Sequence, residues 1–137
     1  MSRAKSARCL SKDTTKVAAI ALDDRNRLVG VGVNGYPPQY DDENMSDKYD
    51  KVIHAEINAI LNSRTRAGEI KTMFISGLPP CNECVKFMVA YGIKKVYANI
   101  DTKIDSAQKW LDLFKDCYHL HKNYIAIDLM IDEVNTQ

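Results

Sequence analysis

The chain has 137 residues, 45% apolar and 27% charged, with 19 Lys and Arg against 18 Asp and Glu. That is enough apolar material for one ordinary core and too much for a disordered chain, and no apolar run approaches the ~20 residues that a membrane-spanning helix needs. A net charge of +1 is far from the positive excess that proteins living on nucleic-acid backbone carry, so neither nucleic acid nor a membrane is an expected partner. No apolar stretch follows the charges of MSRAKSARCLSK, so no secretion signal is visible and a reducing cytoplasm is the expected compartment. In that compartment cysteines serve metal binding or catalysis more often than disulfides.

Residues 1–137 read as a single domain without repeats, low-complexity runs or linkers. Residues 2–11 suit a short opening helix. Arg3, Lys5, Arg8 and Lys12, with no acid among them, make a solvated basic surface, or more specifically a phosphate or subunit contact. VAAIAL (17–22) and LVGVGV (28–33) are strand-like runs joined by DDRNR, whose Asp and Asn content suits a hairpin turn. NGYPPQYDDEN (34–44) is a loop punctuated by Gly35, Pro37 and Pro38, and the acidic stretch 41–50 is solvated surface. A helix follows over 54–64, with Ala55, Asn58, Ala59 and Asn62 on one stripe and Ile57, Ile60 and Leu61 on the next, closed near Gly68. TMFISG (72–77) is a third strand. Residues 81–91 form a helix stopped by Gly92, and KKVYANI (94–100) is a fourth strand. Ala107, Trp110, Leu111 and Phe114 mark an amphipathic helix over 105–116, and YIAIDLMI (124–131) is a fifth strand. A hairpin followed by alternating helix and strand predicts an α/β fold: a three-layer α/β/α sandwich around a mixed five-stranded sheet.

Two segments carry chemistry. His54-Ala55-Glu56 and Pro80-Cys81-Asn82-Glu83-Cys84 lie 27 positions apart, counted from His54 to Cys81, and each stands where a helix begins. Residues three apart on a first turn share a face, so Cys81 and Cys84 present both sulfurs together. Free N–H groups and the positive dipole end there favour thiolates. Two thiolates and a neutral imidazole balance a zinc ion's charge and leave its fourth position to water, whose proton such an ion makes easier to lose. Glu56, two residues past His54, is about 200° around the helix from it. That placement suits a proton shuttle rather than a ligand. A closed structural zinc site or a redox pair is the alternative, and closure would take a fourth ligand from Cys9, Cys117, His119 or His121. Otherwise these four are ordinary residues, with His119 and His121 pointing outward.

His-x-Glu followed by Pro-Cys-x-x-Cys is the pattern of zinc nucleobase deaminases. The chain resembles the cytidine and deoxycytidylate deaminase superfamily from about Ser11 to Leu129, through SKDTTKVAAIAL, NRLVGVGVNG, HAEINAI and PPCNECVKFMVAYGIKKVYA. Its short deoxycytidylate (dCMP) branch, of bacterial and viral type, is the most similar. Free cytidine deaminases have Cys where this chain has His54. Transfer-RNA adenosine deaminases would be more basic, whereas the last ten residues here hold Asp128, Asp132 and Glu133 with no Lys or Arg.

The resemblance implies a cytidine deaminase-like fold and hydrolytic deamination of dCMP to dUMP with release of ammonia, feeding dTTP synthesis in the cytoplasm (the host's, for a viral protein). Other cytosine nucleotides or nucleosides (dCTP, a 5-substituted dCMP, cytidine) or a base in nucleic acid are alternative substrates. It implies one zinc per chain on His54, Cys81 and Cys84, with Glu56 as the catalytic proton shuttle. Asn34 would contact the sugar hydroxyl, Ser11 and Lys12 would lie near phosphate, and Ala55 would line the base pocket. Lys16 and Arg25 are further phosphate candidates, and Tyr36, Tyr40 and Tyr118 are candidates for stacking on the base. A homo-oligomer, often a hexamer, and dCTP or dTTP as effectors are family traits.

Overall fold

The structure is a computed structural model that describes residues 1–11, 15–35 and 53–131. Helix α1 (Ser2–Ala7) runs into a 3-10 turn (Arg8–Leu10). Strands β1 (Ala18–Leu22) and β2 (Leu28–Val33) follow, then α2 (Ala55–Ser63), β3 (Thr72–Gly77), α3 (Asn82–Tyr91), β4 (Lys95–Ile100), α4 (Ala107–Tyr118) and β5 (Ala126–Ile131). The five strands form one sheet in the order β2-β1-β3-β4-β5. β1 is antiparallel to β2 and β3, while β3, β4 and β5 run parallel. This is the expected mixed five-stranded sandwich.

The β1–β2 hairpin closes because Asp23 gathers its own turn. Its Oδ1 accepts from the backbone N–H groups of Arg25 and Arg27, both at 2.9 Å. Asn26 takes the left-handed conformation, φ 59°, which Asn tolerates better than most residues. The parallel pairs need crossovers, supplied by α3 and α4. Met73, Ile75, Val96, Ala98 and Ile100 are fully buried in one core with Ala59, Val85, Met88 and Phe114.

Registered partners share a face, so this side of the sheet continues through Ala19 and Ala21 to Gly30 and Gly32. There α2 lies directly on β2: a Cβ on Gly32 would come within 2.2 Å of the Ala59 nitrogen and 2.4 Å of the Ala55 oxygen. β2 is an edge strand, and α2 covers its free carbonyls. Asn58 Nδ2 donates to the Val33 oxygen at 2.7 Å and Asn62 Nδ2 to the Val31 oxygen at 2.9 Å. One helical turn thus matches two residues of strand, and the edge is blunted against pairing with another chain. α1 makes the third layer on the opposite face, where Ser2, Ser6 and Ala7 share a groove with Ile20 and Val31.

Two expectations change in detail. Leu61, placed on an apolar stripe by periodicity, is 60% exposed, and the buried stripe of α2 is Ala55, Glu56, Ala59 and Ile60. That helix ends where the 54–64 span predicts, but its left-handed stop is Arg64, φ 54°, rather than Gly68. Ser63 Oγ accepts from the Thr65 N–H and meets the Thr65 hydroxyl, which in turn meets the Tyr91 hydroxyl. Arg64 takes the conformation expected of a glycine stop, and these hydroxyls tether the chain beyond it. α3 does end on Gly92, at φ 92°, whose N–H donates to the Met88 and Val89 carbonyls.

Candidate active site

His54 is the N-cap of α2 and Cys81 the N-cap of α3, and neither side chain makes a capping hydrogen bond. Both are therefore free to turn toward each other. His54 Nδ1 lies 3.3 Å from Cys84 Sγ and 3.4 Å from Cys81 Sγ, and the three donor atoms fall within 4.8 Å of one another. Zinc bonds of about 2.3 Å to sulfur and 2.0–2.1 Å to nitrogen, set tetrahedrally, place donors roughly 3.6–3.8 Å apart. The donor set suits zinc, and its two nitrogen–sulfur distances fit to within a few tenths of an ångström. Among the described residues this is the one such cluster, which makes one zinc per chain. Cys9, Cys117, His119 and His121 are not part of it.

The electrostatics favour a cation here. Cys81 is held down to about 4, first by its hydrogen bond with Cys84 and further by the one with His54. The same hydrogen bond and burial push the Cys84 thiol up, as expected of two sulfurs sharing one proton. His54 is raised, chiefly by its hydrogen bond with Cys81 and against the effect of burial. Glu56 is 4% exposed. Burial raises its carboxyl, the imidazole of His54 works the other way, and the Cys84 thiol is within hydrogen-bonding reach. A carboxyl kept dry beside the donor set, and outside it, is placed to exchange protons.

The substrate-side residues predicted from sequence sit at the same end of the sheet, where β3 and β4 finish and β1 begins. Ser11 Oγ donates to the Asn34 backbone oxygen at 2.8 Å and lies 2.9 Å from Asn34 Oδ1, which also accepts from the Val17 N–H at 2.9 Å. Asn34 Nδ2 donates to the Thr15 oxygen and Lys16 Nζ to the Ser11 oxygen. Next to Asn34, Gly35 forms an antiparallel bridge with Ile53, the residue before His54. Ala55 is fully buried on the first turn of α2. Lys12, Tyr36 and Tyr40 lie outside the described residues.

Arg25 lies in the hairpin at the other end of the sheet from Gly77, so the topology removes it from the phosphate candidates. Tyr118 is already committed: it stacks on Phe114, its hydroxyl donates to the Ile125 oxygen at 3.0 Å, and it accepts from the Ile127 N–H at 2.9 Å. His121 does not point away. Its Nε2 is 2.7 Å from Oδ1 of Asn82, the residue after Cys81. Sequence reasoning missed this contact and the Asn58 tie. For Asn58 the available signal was an Asn pair at i and i+4 opposite a Gly-x-Gly strand.

Comparison with known proteins agrees with this geometry. Residues 1–100 match the family described as the cytidine and deoxycytidylate deaminase zinc-binding region. A mouse deoxycytidylate deaminase is 38% identical over 109 residues, which cover 72% of this chain and 61% of that protein. A probable deoxycytidylate deaminase of Drosophila melanogaster is 34% identical over 142 residues, covering 86% and 70%. The fold is that of the dCMP deaminase of cyanophage S-TIM5, solved with dCMP and dUMP, at a TM-score of 0.67 and 22% identity, covering 94% of this chain and 92% of that one. The chain spans 61% and 60% of the mouse and human relatives it matches. A mixed sheet presenting two thiols and an imidazole from two helix starts defines a zinc-holding α/β domain. The chain belongs to the cytidine and deoxycytidylate deaminase family.

Proposed function

We propose that this chain deaminates dCMP hydrolytically, taking up water and releasing dUMP and ammonia. The carrying observation is the cluster of His54, Cys81 and Cys84 with buried Glu56 beside it. The deoxycytidylate deaminases among its relatives support the choice of substrate. Zinc, when bound by these three residues, supplies a Lewis acid that makes a water nucleophilic at neutral pH. Glu56 takes the proton which that water loses as its oxygen bonds to C4 of cytosine. It delivers this proton to N3 and then moves the proton of the new C4 hydroxyl to the departing amine, so that the C4–N bond breaks, ammonia leaves and C4 becomes the carbonyl of dUMP. Burial raises the Glu56 carboxyl, the direction that helps it hold a proton between taking it and returning it.

Ala55 leaves room for the base and offers a first-turn N–H to its carbonyl. Asn34, fixed by Ser11 and Val17, meets the sugar hydroxyl. Lys12 and Lys16 are the cations for the phosphate, and Ser11, with its hydroxyl proton given to Asn34, serves this end of the substrate by fixing Asn34. On this reading the chain is a single deaminase domain in a cytoplasmic homo-oligomer, often a hexamer in this family. Its dUMP feeds dTTP synthesis, and dCTP and dTTP are the effectors to test. No helix among the described residues is long and apolar enough to cross a membrane.

The test is ammonia release by zinc-loaded protein on dCMP, dCTP, 5-substituted dCMP, cytidine and cytosine-containing oligonucleotides. The highest kcat/KM is expected on dCMP. Equal or faster turnover of any other member would replace dCMP as the substrate.

A further inference from the structure

The proton chemistry and metal ligation leave Asn58 without a part, although it lies in the same HAEINAI segment as His54 and Glu56. Its backbone N–H makes the first helical bond to the His54 oxygen, 3.0 Å. Its Nδ2 reaches out of the helix to the Val33 oxygen at 2.7 Å, with the Ile53 oxygen at 3.5 Å. Val33 precedes Asn34, and Ile53 precedes His54. Gly35 and Ile53 exchange two backbone hydrogen bonds of 2.8 and 3.1 Å. One amide group therefore donates to the carbonyl that precedes Asn34 and stands at the outer limit of hydrogen bonding from the one that precedes His54.

The geometry points to Asn58 as a positioning residue: by holding the Val33 and Ile53 carbonyls together, it sets the spacing between Asn34 and the His54–Glu56 turn. Only a side chain with two N–H donors on one nitrogen serves two acceptors from this distance. Aspartate would set oxygen against both carbonyl oxygens, and glutamine is a methylene too long. Gly32 leaves the turn no slack to compensate, since an added Cβ would lie 2.7 Å from the Asn58 carbonyl carbon. Reacting groups misplaced by about 1 Å can cost on the order of 10²-fold in rate. The inference deepens the deaminase reading and rests on it.

Asn62 is the internal control. It makes the same kind of bond to the same strand one turn later, with no link to the segment carrying His54. Asn58→Ala, Asn58→Asp, Asn58→Ser and Asn62→Ala would be compared in the zinc-loaded full chain by thermal melting, zinc content, zinc release to a chelator, and kcat and KM on dCMP. Asn58→Ala and Asn58→Asp are expected to lower kcat by about 10–100-fold, more than they raise KM. Zinc should leave them about tenfold faster or more, as when the group orienting a ligand is removed. Asn58→Ser, whose hydroxyl stops one bond short of the Nδ2 position, should lose the tie as Asn58→Ala does, and it guards against an Asn58→Ala protein that fails to fold. Asn62→Ala should lower the melting temperature while leaving kcat and zinc release unchanged. The inference is overturned if folded Asn58 variants keep wild-type kcat and zinc release, if the loss is confined to KM, or if Asn62→Ala reproduces it. Should the wild-type chain leave dCMP intact, the substrate reading fails, and the zinc-release arm still decides the role of Asn58.

Discussion

The two helix starts that meet at the site are held in different ways. α3 carries both sulfurs on one turn, so helical geometry sets their spacing. Val85 and Met88, both fully buried, fix that helix to the sheet. α2 carries the imidazole and the carboxyl, but its hold is lateral: Asn58 and Asn62 on the carbonyls of β2, and Gly30 and Gly32 yielding space to its backbone. The sulfur half of the site is thus local and should fail when the core fails. The imidazole–carboxyl half depends on contacts distant in sequence and should fail when the tie on its own turn, Asn58 to Val33, is cut, with the core intact.

Within the donor set itself, the first division is between holding zinc and moving protons. Cys84→Ser should take zinc from one per chain to near zero in elemental analysis and abolish turnover with it. Glu56→Gln should keep zinc near one per chain while kcat falls by about 10²–10⁴-fold, the usual worth of general acid–base catalysis. Loss of zinc from the Gln variant would make Glu56 a ligand and erase the distinction between the two roles.

Gly32→Ala attacks the lateral hold from the strand side. The new Cβ would meet two backbone atoms of α2 at 2.2 and 2.4 Å, and backbone cannot rotate away as a side chain can. Overpacking of this kind costs about 1–3 kcal/mol and occasionally more. Urea melts should show that loss, and kcat of the folded fraction should drop because His54 and Glu56 ride on the displaced turn. An unchanged midpoint and kcat would mean that α2 is not pressed onto β2. Met88→Ala is the counterpart on α3. It should cost roughly 2–5 kcal/mol, yet leave kcat per folded molecule unchanged, since a helical turn keeps its own spacing.

The same division governs what the sequence makes legible. His54, Glu56, Cys81 and Cys84 can be read because each pair stands on one helix start, and such spacing is local. The strands LVGVGV and TMFISG are recovered with their boundaries because turn residues bracket them. Asn58 and Asn62 appear in the sequence only as members of a helical stripe. Periodicity reports where apolar side chains recur, and it is silent about which carbonyls an edge strand leaves unpaired 25 or 31 positions away. For the same reason Leu61 reads as core and lies exposed, and Tyr118 reads as a candidate for stacking on the base and is bound to the backbone around β5. The link from His121 to Asn82 spans 39 positions and has no local sign at all.

The weakest perturbation tests whether the contrast stops at the two helix starts. Arg8 joins the N-terminal layer to the far end of the parallel strands, with Nε donating to the Lys16 oxygen at 2.7 Å and Nη2 to Asp101 Oδ2 at 2.9 Å. Burial works to raise the Asp101 carboxyl, but the Lys103 N–H and the Arg8 guanidinium outweigh it and hold it below its ordinary 3.8. Between that lowered value and 3.8 the unfolded chain binds more protons than the folded one. The pair's stabilisation is therefore complete above 3.8 and is lost as pH falls through the folded value. Asp101→Asn should flatten this part of the acid limb in urea midpoints and cost less than about 1 kcal/mol at neutral pH, as befits a partly exposed pair. Zinc content and kcat should not move, because Asp101 supports neither α2 nor α3. A drop in kcat without loss of stability would instead carry the lateral hold beyond β2, through Lys16 and Ser11 to Asn34, and make the N-terminal layer part of what spaces the site.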